Sequence, residues 1–202
     1  MTEYTPEQIS EYDIVLAVDL SGSMASQSKK VSGNLLQEVK EFTLGLANFA
    51  SSVDDDGITL ITFGGSNVNV VDNVTTEKVE EAFNNMQIGG STPTGKAVKA
   101  AFDKHFSNGK STFVFVMTDG AATDAEDLVN VLVDGANKIG KNEELCVQLI
   151  QVGNDPQASE FLRFLDDDLG KRGAKHDIVN TLTAQEAEGL SFGRLFWLAL
   201  ND

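Results

Sequence analysis

Short apolar runs alternate with helical stretches from one end of the chain to the other. Four runs consist almost entirely of apolar side chains: DIVLAV (13–18), ITLITF (58–63), FVFVM (113–117) and LCVQLIQV (145–152). Such runs are typical of strands that are covered on both faces of a parallel sheet. Between them, apolar residues recur every three or four positions, as in helices that bury one side. The alternation predicts a doubly wound, Rossmann-like α/β fold, which is a three-layer sandwich with helices on both faces of a mostly parallel sheet.

One strand is expected to run against the others. NVNVV (67–71) follows ITLITF after only three residues, which is too short a link for a parallel crossover, so it predicts an antiparallel strand at a sheet edge. FVFVM is the most apolar run and is expected at the centre, and DIVNTL (177–182) is a last short strand. Helices are predicted at about 35–53, 76–86, 95–106, 124–139, 156–169 and 184–199.

Length and composition are those of one globular domain. We place it at 1–202, with a core at about 11–200 and a polar N-terminal extension at 1–10. The single cysteine, Cys146, excludes an internal disulfide. The sequence shows neither a secretory signal nor a membrane span, so we expect a cytoplasmic protein. The formal net charge of −16 disfavours binding to the phosphate backbone of a nucleic acid.

Polar residues collect at the ends of two predicted strands and in one loop. Asp19, Ser21 and Ser23 follow DIVLAV, Asp119 follows FVFVM after one threonine, and GGSTPTG (89–95) precedes a predicted helix. Ligands of open parallel sheets bind beyond the carboxyl ends of the strands, where strand order reverses. We therefore expect the three segments to converge. They offer only oxygen donors, which suit Mg²⁺ or Mn²⁺ better than Zn²⁺ or Cu²⁺.

The two serines also have a plainer interpretation. Ser is a common helix N-cap, so Ser21 and Ser23 could serve only to cap the helix that follows them. The expected convergence of Thr92 and Asp119 at the same sheet edge favours a metal site over this alternative.

DLSGS with its apolar lead-in, the threonine of GGSTPTG, and MTDG after an apolar strand resemble the von Willebrand factor A domain family. The spacing is similar too, with 73 residues from Asp19 to Thr92 and 27 more to Asp119, and the resemblance extends over about residues 11–200. It implies that the two serines contact the ion directly and that an open coordination position accepts an Asp or Glu carboxylate of a partner protein. It implies a complete metal-ion-dependent adhesion site formed by Asp19, Ser21, Ser23, Thr92 and Asp119.

We therefore expect a divalent-metal-dependent protein-binding module and no enzyme. The alternative is a Mg²⁺-dependent phosphohydrolase or NTPase that uses Asp19 and Asp119. Gly90–Lys96 matches the start of a phosphate-binding P-loop, but Ala97 stands where that loop needs Ser or Thr, and a helix is predicted before it where a P-loop follows a strand. An aspartyl nucleophile at Asp19 usually has a second acid two residues later, where this chain has Ser21.

Overall fold

The computed structural model describes residues 3–53 and 57–201, which form a three-layer α/β sandwich around a six-stranded sheet. The strands are β1 (Asp13–Asp19), β2 (Ile58–Gly64), β3 (Asn67–Val74), β4 (Thr112–Thr118), β5 (Leu145–Gln151) and β6 (Val179–Thr183). The helices are α1 (Pro6–Ile9), α2 (Leu35–Val53), α3 (Thr76–Asn84), α4 (Thr94–Asn108), α5 (Ala125–Lys138), α6 (Pro156–Asp167), α7 (Ala184–Ala187) and α8 (Phe192–Leu200). Within these ranges, no helix is both long and apolar enough to cross a membrane.

The order of the strands confirms the predicted fold class. The sheet runs β3-β2-β1-β4-β5-β6, and β3 alone among these strands is antiparallel to its neighbour. The chain builds one half of the sheet outward from β1 and then returns to start the other half at β4. Strand order therefore reverses between β1 and β4, and an open α/β sheet binds its ligands beyond the carboxyl ends of such a pair.

Alternate residues of the central strands face opposite helical layers. Ile14, Leu16 and Val18 of β1 pack with α1, α2, α3 and α8, whereas Val15 and Ala17 pack with α4, α5 and α6. All five side chains are buried. A strand covered on both faces can bury a continuous apolar run, which is why DIVLAV lacks the polar alternation of a half-exposed strand.

The prediction of one helix over 184–199 was wrong. The chain forms two helices there: α7 ends at Ala187, and Gly189 then adopts a left-handed φ of 77°. Ser191 starts α8 by accepting a hydrogen bond from the Arg194 N–H at 3.1 Å. Glycine adopts a positive φ without steric cost and serine is a favoured N-cap, so the break follows from these two residues.

Residues 4–9, which belong to the predicted polar N-terminal extension, pack against the rest of the domain. The N–H of Tyr4 donates to the carbonyl of Gly193 at 2.9 Å, and Ile9 is fully buried in the core. This approach of two backbones requires glycine, because a Cβ on residue 193 would overlap the carbonyl oxygen of Tyr4. The described part of the predicted extension therefore covers the N-terminal end of α8.

We predict opposite effects for two Gly→Ala substitutions inside helices. Gly193→Ala should lower the free energy of unfolding by about 2 kcal/mol, because the new methyl group must displace backbone. Gly45→Ala, in the exposed middle of α2, should be neutral or stabilise by up to about 1 kcal/mol, since its Cβ would meet only the ring of Phe192 at 3.7 Å. Urea denaturation of both variants measures the difference, and equal effects would contradict the close packing of Tyr4 on Gly193.

Candidate metal centre

The candidate site begins with Asp19, at the carboxyl end of β1. Because β1 and β4 are parallel neighbours, Asp19 and Thr118 end their strands at the same edge of the sheet. The Thr118 hydroxyl donates to Oδ2 of Asp19 at 2.6 Å, and the N–H of Ser21 donates to Oδ1 at 2.7 Å. Each oxygen of this fully buried carboxylate therefore accepts one hydrogen bond, which fixes the orientation of the side chain.

Ser21 and Ser23 connect Asp19 to the second acid. Ser21 Oγ lies 3.1 Å from Ser23 Oγ, and Ser23 Oγ donates to Oδ1 of Asp119 at 2.7 Å. Four of the five predicted site residues therefore belong to one hydrogen-bonded chain. The Ser21 side chain does not cap the 3₁₀ turn at Gly22–Ala25 that follows it. The interpretation of these serines as helix caps is therefore not supported.

Thr92, the fifth predicted residue, is brought to the same edge by its backbone. Its carbonyl accepts from the N–H of Thr123 at 2.9 Å, and the carbonyl of Gly90 accepts from the N–H of Gly22 at 3.2 Å. The threonine loop is thus held between the loops that carry the two acids. Thr92 is buried, and within the described ranges its hydroxyl makes no hydrogen bond to the other four site residues.

The same loop packs tightly on the end of β2. Gly90 has a φ of 80°, and a Cβ there would lie 2.5 Å from the Cα of Gly65. The Gly65 N–H donates to the carbonyl of Ser91 at 2.9 Å, and the Ser91 hydroxyl donates back to the Gly65 carbonyl at 2.9 Å. Gly90 therefore serves a close approach of two backbones, which does not require a bound phosphate.

Asp124 orders the helix that follows Thr92, a role that the sequence analysis did not identify. Its Oδ1 accepts from the N–H of Gly95 at 3.0 Å and its Oδ2 accepts from the N–H of Lys96 at 3.1 Å. These N–H groups belong to the first turn of α4, where no intrahelical partner exists and where the helix dipole favours a negative charge. The capping acid comes from a different loop, so no local sequence pattern could have revealed it.

Burial dominates the electrostatics of the two acids. It raises the pKa of Asp19 to about 6, against the opposing hydrogen bonds from Thr118 and Ser21. Burial also raises the pKa of Asp119, although the Ser23 hydroxyl acts in the other direction. Within residues 3–53 and 57–201, neither carboxylate forms an ion pair with a basic side chain. Two buried acids that are linked through Ser21 and Ser23 and lack a basic partner in these ranges are costly when ionised, and a divalent cation would remove that cost.

The donor set fits a hard cation. All five side chains offer oxygen, and the described part of the chain contains no group of three or more His, Cys, Asp and Glu residues suited to a metal. An ion at this edge would therefore be held by two carboxylates and by uncharged hydroxyls. That composition suits Mg²⁺ or Mn²⁺ and lacks the nitrogen and sulfur ligands typical of zinc sites.

A family match covers the segment that carries this geometry. The family model of the von Willebrand factor type A domain matches residues 14–122, more than half of the chain. The chain belongs to this family. The match starts in β1 and ends just after Asp119, so it includes all the candidate site residues. A comparison of this chain with curated proteins found no match.

Solved structures share the fold of this von Willebrand factor A domain at low sequence identity. The pilus adhesin SpaC of Lactobacillus rhamnosus GG aligns with a TM-score of 0.60 at 13% identity, over 85% of this chain and 28% of its own. Manganese-loaded TRAP of Plasmodium vivax aligns with a TM-score of 0.58 at 20% identity, over 92% of this chain and 72% of its own. Proximal thread matrix protein 1 of the mussel byssus aligns with a TM-score of 0.53 at 21% identity, over 71% of this chain and 38% of its own.

The raised pKa of Asp19 predicts how stability depends on pH when no metal is bound. A group with a higher pKa in the folded state stabilises the fold fully below its unfolded pKa, and this contribution disappears as pH rises through about 6. In EDTA, the unfolding free energy of the wild type should therefore fall relative to that of Asp19→Asn by about 2–3 kcal/mol between about pH 4 and pH 7.

Urea denaturation at several pH values in EDTA measures this difference. Asp103→Asn removes an exposed acid of α4 that pairs with Lys99, and it should show no comparable change. Wild-type and Asp19→Asn curves that stay parallel from pH 4 to pH 7 would show that burial of Asp19 does not disfavour its ionised form.

Proposed function

We propose that the domain is a divalent-metal-dependent protein-binding module whose ion, Mg²⁺ or Mn²⁺, is held by Asp19, Ser21, Ser23, Thr92 and Asp119. The observation that carries the proposal is the pair of buried carboxylates, which are linked through Ser21 and Ser23 and have no basic partner in the described ranges. The complete set of five motif residues, which resembles a metal-ion-dependent adhesion site, supports it further. So does the manganese-loaded state of TRAP, a structure of the same fold.

The bound ion would supply a positive centre at the sheet edge that accepts an Asp or Glu carboxylate from a partner protein. The chain's own residues would hold the ion near the surface, since Ser23 is exposed whereas Asp19 is fully buried. Hydroxyl ligands carry no charge, so an ion that they bind retains its attraction for an incoming carboxylate. The pilus adhesin SpaC shares this fold, which supports an interaction role for the domain.

Asp19→Ala and Asp119→Ala should each abolish metal-dependent partner binding while leaving the domain folded. Each substitution removes one of the two charged groups that balance the ion. A pull-down from native lysate in Mg²⁺ and again in EDTA measures the effect, and circular dichroism checks the fold. Asp103→Asn, an exposed acid elsewhere, is the matched control for loss of one charge. A partner retained equally in Mg²⁺ and EDTA would contradict the proposal.

Asp124→Asn should weaken Mn²⁺ binding by about tenfold, although Asp124 is not among the proposed ligands, because outer partners orient the groups that coordinate the metal. The substitution removes the charge that holds the first turn of α4 and so loosens the loop that presents Thr92. Isothermal titration with Mn²⁺ measures the affinity. Asp127→Asn, an exposed acid in α5, should leave it unchanged. Equal affinities in the two variants would show that the cap does not position Thr92.

The alternative is phosphate chemistry at the same acids, and two observations disfavour it. The loop Gly90–Lys96 follows α3, whereas a P-loop follows a strand. Asp19 is fully buried, whereas an aspartyl nucleophile must be reached by the phosphorus atom of its substrate. Phosphate release from ATP and from a generic phosphomonoester tests this alternative directly, and turnover that Asp19→Ala removes would favour it over the binding module.

A further inference from the structure

A groove of about 1320 Å³ opens beside the proposed metal centre. Ser23 and Asp119 line it, together with residues of α2, of the loop after β5, of α6 and of α7. None of the residues that line it belongs to the threonine loop, 89–95, so the groove lies on one side of the centre. A partner segment whose carboxylate binds the ion can therefore continue into this groove in one direction.

The loop after β5 joins the groove to the centre. The N–H of Val152 donates to the carbonyl of Thr118 at 3.0 Å, and a Cβ on Gly153 would lie 3.9 Å from the Cβ of Asp119. Asp155, an exposed residue of the same loop, acts on the centre through its charge: burial and, to a smaller degree, Asp155 raise the pKa of Asp119. The acidic lining of the groove therefore begins close to the proposed ion.

Acids outnumber bases along the groove. The lining acids are Glu38, Asp119, Asp155, Glu160 and Glu188, and the lining bases are Lys29, Lys30 and Arg163. Lys30 donates to Glu188 at 3.0 Å. Arg163 acts on Glu186, since hydrogen bonds from Thr183 and then the charge of Arg163 lower the pKa of Glu186. Two of the three bases therefore already serve acids of this chain.

Three of the lining acids form no ion pair within the described ranges, namely Glu38, Asp155 and Glu160. The Ser28 hydroxyl donates to Glu38 at 2.7 Å and a backbone N–H donates to Asp155 at 2.9 Å, but these neutral donors leave the negative charges in place. Lys29 is the lining base that forms no ion pair in the same ranges. The charge left unpaired beyond the centre is therefore mainly negative.

We propose that this groove binds a Lys or Arg side chain of the same partner segment that presents its carboxylate to the metal ion. The inference rests on the proposed function, because the carboxylate needs the ion. Glu38 of α2 and Glu160 of α6 offer such a cation carboxylates from two helices, and Asp155 adds a third. The same acids repel a segment that carries further carboxylates. The occupant is therefore a segment with one Asp or Glu and with a Lys or Arg on one side of it.

Peptide display tests the proposal. The library carries a fixed central glutamate with randomised residues on both sides, and it is selected on the domain in Mn²⁺ and eluted with EDTA. We expect Lys and Arg to be enriched on one side of the glutamate, because the groove lies on one side of the centre. A general attraction to a chain with a net charge of −16 would instead enrich them on both sides.

The groove variant Asp155→Asn/Glu160→Gln removes two of the three carboxylates, and asparagine retains the N-cap of α6. Replacing the enriched Lys or Arg of a selected peptide by Gln should lower its affinity for the wild type about fivefold, because the exposed ion pairs of that side chain are lost. The same replacement should lower the affinity for the groove variant less than about twofold. Fluorescence anisotropy measures both ratios in saturating Mn²⁺, which is needed because the charge of Asp155 also acts on Asp119.

Asp127→Asn/Asp134→Asn, which removes two exposed acids of α5 outside the groove, is the matched control and should keep the wild-type ratio. Metal-dependent peptides without one-sided enrichment of Lys and Arg, or an equal ratio in the groove variant and the wild type, overturn the groove inference and leave the proposed function standing. A selection that yields no peptide released by EDTA contradicts the proposed function, and the groove inference falls with it.

Discussion

The carboxylate of Asp19 lies buried where the two central strands end, and the arrangement of the site follows from its need for partners. A buried carboxylate must be hydrogen-bonded or neutralised to be tolerated. Thr118 and the Ser21 N–H provide hydrogen bonds, yet burial still raises the pKa to about 6, so these two bonds do not fully replace water. With Asp119 close by, the edge of the sheet is short of positive charge. The divalent ion that we propose would supply that charge at the point where ligands of an open α/β sheet are expected.

Backbone contacts, more than side-chain packing, hold the loops of the site in place. Leu20 is the centre of these contacts: its N–H donates to the carbonyl of Phe63 at 2.7 Å, and its carbonyl accepts from Gly89 at 2.8 Å. A Cβ on Gly64 would lie 2.9 Å from that carbonyl oxygen. Backbone contacts therefore join the loops after β1, β2 and α3, and at Gly64 and Gly90 these contacts leave no room for a side chain. This rigidity places the serines and the threonine loop before any ligand binds, which reduces the entropic cost of binding.

The sequence was sufficient to predict the strands, their burial and the ends at which functional groups gather, because a buried parallel strand has an unmistakable apolar run. It could not assign a role to Thr118. The hydrogen-bond partner of a threonine at the end of such a run is not identifiable until the register of β1 and β4 is known. Asp124 was missed for a related reason, because it caps a helix from a different loop. Gly189 and Ser191, which separate α7 from α8, are typical helix-ending and helix-starting residues, but the apolar pattern of 184–199 favoured one continuous helix.

The net charge of the domain determines how an acidic partner segment could be recognised. At long range, a charge of −16 repels acidic ligands, but at physiological ionic strength this repulsion is screened beyond about 8 Å. Attraction would then come chiefly from groups that a ligand reaches at contact distance, above all the proposed ion. An acidic segment with a single carboxylate would gain the ion alone and would still face the repulsion of the surrounding acids. Discrimination would therefore rest on the residues that flank the carboxylate of the ligand, and the negative surface would act against ligands that carry further acids.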